Sequence, residues 1–140
     1  MRNSAAVALA ALLTAGEAGA AAPKAEVLGR WKGTSICTKI PGNEFCRDEV
    51  VVYEFMDVAS DPDLVKLKAA KVVEGREEPM YELDFRYEAG QRRWTCEFVR
   101  PRAHGVWIYG VRGGELTGTL LLLPDRTVAR NVAARRDEAR

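Results

Sequence analysis

Histidine occurs once in this chain, at His104, and that scarcity removes a good deal of chemistry. Metal sites built on several imidazoles, and the paired histidines of helical zinc-protease motifs, need ligands that are not there. A nucleophile–base pair between Cys96 and His104 lacks a third group to orient it. No glycine-rich loop leads from a strand into a helix, so a phosphate cradle of that kind is missing too. Charge is nearly balanced, 21 Lys and Arg against 20 Asp and Glu with a net charge of +1. That is not the basic excess a duplex-binding domain presents. Paired acids such as Asp48-Glu49 and Glu77-Glu78 fall at turns, where solvation accounts for them. The expectation is therefore no enzyme, no cofactor, no metal and no nucleic-acid partner.

Long hydrophobic runs are also absent, with one short exception at the start. Arg2 precedes an apolar stretch from Ala5 to Ala15, and small residues then run from Ala18 to Ala22 with Ala-x-Ala cleavage sites. Such a run is too short to span a membrane and reads as a secretory signal peptide over 1–22. No cysteine follows the cleavage zone, so neither a lipid anchor nor a membrane span is expected. The mature chain is expected as one domain over 23–136, with 137–140 a frayed tail, in a periplasmic or secreted location of the Gram-negative type.

Cysteine is sparse: Cys37, Cys46 and Cys96. In an oxidising compartment Cys37 and Cys46, flanking a turn-forming loop, are expected to pair. Closing so short a loop stabilises by about 2–3 kcal/mol in the chain-entropy model. Cys96 then remains, as a buried small hydrophobe, a reactive thiol or an intermolecular bridge; a Cys37–Cys96 pairing is the alternative connectivity.

What the chain does have is evenly spaced punctuation. Turn signals recur at Pro41-Gly42-Asn43, Asp61-Pro62-Asp63, Glu74-Gly75-Arg76, Ala89-Gly90, Arg100-Pro101, Gly113-Gly114 and Pro124-Asp125, separating eight strand-length segments. Most segments alternate apolar and polar residues, the mark of strands with one wet face. In 81–88 the set Tyr81, Leu83, Phe85 shares one face; in 93–98 it is Trp94, Cys96, Phe98; in 51–55 it is Val51, Tyr53, Phe55. Residues 61–71 carry helix-start signals at Asp61-Pro62-Asp63, yet Val65, Leu67 and Ala69 alternate with Lys66 and Lys68, and the segment is read as a strand. An open sheet of eight short strands exposes two edges, and closing it into an antiparallel up-and-down barrel removes both. Gly33, Gly105, Gly110 and Gly118 inside strand patterns suit bends or bulges in such a barrel.

The run Gly29-Arg30-Trp31-Lys32-Gly33-Thr34-Ser35 opens the first strand after the leader. With the Cys37–Cys46 hairpin, Trp94 through Arg102, and Leu116-Thr117-Gly118-Thr119-Leu120, the chain resembles the calycin superfamily and lipocalin-like proteins exported by Gram-negative bacteria. The resemblance implies a barrel floor closed by Trp31, with an Arg from the last strand across its face. In Val128-Ala129-Arg130-Asn131-Val132 that Arg is Arg130. The lipocalin Thr-Asp-Tyr motif and a long C-terminal helix are missing, which favours a shorter, streptavidin-like or inhibitor-like barrel.

An eight-stranded barrel is either filled by its own side chains or holds one small ligand. The candidate ligand-facing residues are Tyr53, Phe55, Tyr81, Leu83, Phe85, Trp94 and Phe98, with Ser35, Tyr109 or Asn131 as polar orienting groups. The first reading of function is a small apolar ligand bound within the barrel. The alternative is a filled scaffold whose 38–45 hairpin loop binds another protein. A basic group of Arg92, Arg93, Arg100, Arg102 and His104, set against Glu74, Glu77 and Glu78, reads chiefly as solubilising surface charge.

Overall fold

A computed structural model describes residues 22–138 of the 140-residue chain. Except for Ala22, the expected signal peptide lies outside the described residues, as do 139–140 of the tail. One short helix precedes eight strands: α1 (Ala22–Val27), β1 (Gly29–Cys37), β2 (Glu49–Asp57), β3 (Leu64–Val73), β4 (Arg76–Glu88), β5 (Arg93–Arg100), β6 (Ala103–Arg112), β7 (Glu115–Leu122) and β8 (Thr127–Arg136). Each strand pairs antiparallel with the next and β8 returns to β1, so the sheet is a closed meander barrel. Every turn expected from the sequence falls between consecutive strands or at their ends.

Residues 64–73 form β3, and the reason is visible on its two faces. Val65, Leu67 and Ala69 are buried inside the barrel. Lys66 and Lys68 point outward to Asp84 and Glu82 of β4, at 3.7 and 3.9 Å. Exposed pairs of that kind contribute less than about 1 kcal/mol each. The buried alternate face is what holds the segment in the ladder.

The floor of the barrel is closed by α1, an addition to the expected all-β chain. A helix of 6 residues has no stability of its own in water. It is held from below and above. Lys24, largely buried, donates to Asp57 Oδ1 at 2.6 Å and to the Asp61 carbonyl at 2.6 Å, tying α1 to the β2–β3 turn. Val27 is fully buried, and its carbonyl accepts from the Trp31 indole N–H at 2.7 Å.

The cation over Trp31 is Arg136, at 4.2 Å from the ring centre, and not the expected Arg130. Register is the reason. Trp31 sits opposite Arg136, whereas Arg130 sits opposite Cys37 at the other end of β1. Both arginines share the inward parity of β8, so alternation alone does not separate them. Arg136 also donates to the carbonyls of Ala25, Glu26 and Leu28, the orphan acceptors at the end of α1. Asp137, placed in the frayed tail by the sequence, is anchored instead: its N–H donates to the Arg30 carbonyl at 2.9 Å and its carboxylate accepts from Arg30 Nε at 3.0 Å.

Closure depends on one close approach. A Cβ on Gly33 would lie 1.9 Å from the Ala133 carbonyl oxygen, so β1 and β8 meet where only glycine fits.

Candidate functional site

The barrel wall is uneven. The β4–β5 ladder contains only Arg86↔Thr95, Tyr87↔Trp94 and Glu88↔Arg93. Above these pairs β5 continues through Cys96–Arg100 and β4 through Phe85–Arg76 with no ladder between them. A bulge at Ala69/Ala70 turns the far half of the β3–β4 hairpin away. There Arg30 of β1 bonds Glu77 of β4, and Val52, whose side chain faces outward, is only 4% exposed. The hairpin arm therefore leans over the outer face of β1 and β2, bordering a groove of about 380 Å³. Its departure leaves a side opening of about 190 Å³ lined by Tyr81, Leu83, Phe98, Trp107, Leu120 and the rim residues Met80 and Arg100.

Behind the opening lies a stack of rings. Tyr81 stacks on Trp107 with centroids 6.3 Å apart, and Trp107 on Tyr109 at 5.7 Å. Tyr109 is the hub, meeting Phe85 at 5.3 Å, Tyr53 at 5.7 Å and Phe55 at 6.0 Å edge to face. Its ring lies flat against β7 because position 118 is glycine: a Cβ there would come within 2.3 Å of the ring. Tyr53 and Tyr81 flank Ala69 on the inner face, each its cross-strand partner. The small side chain between them leaves their rings free to converge.

The phenols are the unusual chemistry of this interior. Burial pushes the Tyr53 hydroxyl up to about 12, while hydrogen bonding with Tyr109 and Tyr81 pulls the other way. Burial raises Tyr81 and Tyr109 as well, reinforced by the neighbouring phenols. All three are neutral donors at physiological pH. The hydroxyls of Tyr53 and Tyr109 are buried and find no hydrogen-bond partner outside the cluster of three phenols. Nearby, Arg130 is fully engaged: it donates to Ser35 Oγ at 3.1 Å, to the Arg47 carbonyl at 3.0 Å and to Glu49 Oε1 at 3.1 Å. Its charge is neutralised within the barrel wall by Glu49.

The sequence-derived candidates divide accordingly. Tyr53, Phe55, Phe85 and Trp94 are buried in the core, and Tyr81, Leu83 and Phe98 are half-buried and pack against it. Three of these, Tyr81, Leu83 and Phe98, come together at the opening. Ser35 and Tyr109 point inward, but Asn131 is exposed. Trp107 was missed because Val106 and Ile108 flank it, leaving 106–109 apolar on both faces and without a visible alternation. Cys96 is buried inside while His104 bonds Glu97 at 2.9 Å on the outer surface, so the two face opposite ways. Burial raises the Cys96 thiol, and Asp84 adds to the effect. The basic group splits as well: Arg92 and Arg93 sit at the floor-side turn, Arg100 and Arg102 at the opposite end.

At that opposite end the Cys37–Cys46 disulfide is present and pins the loop 38–48. Asn43 Nδ2 donates to the carbonyls of Thr38 and Ala129, and Cys37 N–H donates to Asp48 Oδ1. Phe45 projects from this braced loop 93% exposed.

No protein-family model and no curated protein sequence matches the chain. A solved structure does: a mutant of the fluorescent protein UnaG superposes with a TM-score of 0.53 over 83% of this chain and 99% of that one, at 10% identity. The likeness is one of fold. It supports the closed, eight-stranded antiparallel barrel that the turn spacing suggested. No helix among the described residues is long and apolar enough to cross a membrane.

Proposed function

We propose that this protein is an exported, non-enzymatic binding protein that takes a small apolar ligand through the β4–β5 opening into contact with Tyr81, Leu83, Phe98 and Trp107. The observation that carries the reading is the opening itself, an apolar gap of about 190 Å³ leading onto stacked aromatic rings. Pockets that bury drug-sized ligands measure roughly 300–1,000 Å³. An apolar cavity of about 150 Å³ accepts benzene. The site suits one aromatic ring, or one end of a longer molecule. Export rests on the leader and is supported by the disulfide, which persists in oxidising compartments. Cleavage after residue 22 would leave Lys24 and Val27 in place, and with them the floor.

The test is a native mass spectrum of protein purified from the periplasm of its host, together with toluene titration followed by tryptophan fluorescence. A bound mass that disappears in Leu83→Trp, which fills the opening, is the expected result. A bare mass and a flat titration remove the reading.

Phe45 favours a second reading, a protein-binding module. An exposed aromatic on a braced loop suits an interface, where aromatic residues are enriched. Capture of a periplasmic partner that is lost in Phe45→Ser supports it, and equal capture by both forms dismisses it.

A further inference from the structure

Among the described residues the polar bonds of α1 run to β1, the β2–β3 turn and β8, through Trp31, Lys24 and Arg136. Towards β4, β5 and β6 the helix leaves a cleft of about 750 Å³, with Glu26, Tyr87, Arg92, Trp94 and Arg112 in its lining. Pockets for small ligands measure roughly 300–1,000 Å³. We infer that this cleft binds a planar aromatic anion, an aryl carboxylate or sulfonate, with its charge at Arg92 and Arg112 and its ring against Tyr87 and Trp94. The cleft shares no lining residue with the β4–β5 opening, so its ligand is independent of the one proposed there.

Charge selects the class. Arg30, Arg86, Arg93 and Arg130 each have a carboxylate partner. Arg92 and Arg112 have none among the described residues. Glu115 stands opposite Arg112 in the β6–β7 ladder but makes no ion pair with it. Glu26 is the one acid in the lining, so two unpaired guanidinium groups outnumber it. The backbone at Arg92 points the same way. Its φ of 50 and ψ of 49 are left-handed, a conformation that glycine or asparagine adopts with less strain. Asparagine would serve the turn better; what arginine adds is a fork of donors suited to a planar oxyanion.

The ring has its own wall. Tyr87 and Trp94 are cross-strand partners with centroids 4.9 Å apart, and the Tyr87 ring is half-buried. Trp94 is 2% exposed, yet among the described residues only the Trp31 indole N–H finds a partner. A buried indole usually has one. The Trp94 N–H is not sealed from solvent, and the cleft is what Trp94 borders. It adds a neutral donor beside the two cations.

Naphthoate, naphthylmethanol and inorganic phosphate, titrated calorimetrically into the full mature protein at low salt, separate charge from ring. Naphthoate is expected to bind roughly tenfold more tightly than either and to weaken as salt rises. It should fall to the level of the alcohol in an Arg92→Asn/Arg112→Gln variant, whose exposed positions leave the fold intact. Binding should persist in Leu83→Trp, which fills the β4–β5 opening. Loss there puts the probe in the opening, and overturns the inference while leaving the interior-ligand reading intact. Alcohol or phosphate binding as tightly as naphthoate overturns it too, as does naphthoate binding unaltered in the arginine variant. Absence of naphthoate binding does the same.

Discussion

The floor of the barrel and its β4–β5 wall are built from the same inward-facing strand positions and treat polar groups in opposite ways. At the floor, the Trp31 indole, the Lys24 ammonium, the Arg136 guanidinium and the end of α1 are all matched to partners. Behind the wall opening, two phenols are buried with no partner beyond the neighbouring phenols, and the ladder beside them stops after three pairs. One region is closed by matched side chains; the other leaves part of its ladder unpaired.

Substitutions can break that division or sharpen it. The largest effect is expected at the floor: Trp31→Ala should cost about 3–5 kcal/mol in chemical denaturation, the range for deleting a buried aromatic. Gly33→Ala should follow at about 3 kcal/mol, the upper range for overpacking, because the obstructing atoms are β8 backbone and do not rotate aside. A loss under 1 kcal/mol at either position would mean that closure is not where the stability resides.

Alkaline pH probes the wall region without mutation. Tyr53 is raised to about 12, and Tyr81 and Tyr109 are also raised, against about 10 in an unfolded chain. The folded state therefore favours the protonated phenols. Their contribution is complete below pH 10 and is lost as pH climbs through 12, by about 1.4 kcal/mol per pH unit for each phenol. Denaturation midpoints should drop steeply above pH 10, with phenolate absorbance from these rings appearing only as the protein unfolds. The residues facing them, Glu49 and Arg130, have smaller influence than burial does.

The smallest effect carries the opposite sign. Tyr109→Phe removes a buried hydroxyl that has no partner outside the phenol cluster and should raise stability by about 1 kcal/mol. A loss of that size would show that the hydroxyl is satisfied within the free protein.

Much of this was legible in the chain. Alternation in 51–55, 81–88 and 93–98 located the inward rings, and turn spacing set the strand count, because both are local properties with a period of two. Register is not local. Arg130 and Arg136 have the same parity on β8, and only the pairing of β8 with β1 decides which one reaches Trp31. The opening was hidden for a related reason: a bulge at Ala69/Ala70 changes which residues meet, and nothing in Leu67-Lys68-Ala69-Ala70-Lys71 announces it. Position 107 was lost in a segment apolar on both sides. The phenol cluster belongs to the same category, since tyrosine on an inner face says nothing of which other oxygens it meets.

The clasp between the two ends of the chain has a bearing on how the molecule comes into being. Arg30 and Asp137 stand 107 residues apart and join the first strand to the last. Such distant pairings make for slow assembly. A chain emerging amino end first presents β1 long before its neighbour β8 exists, leaving both margins bare. The seam between β1 and β8 therefore has to wait until the last strand has been made.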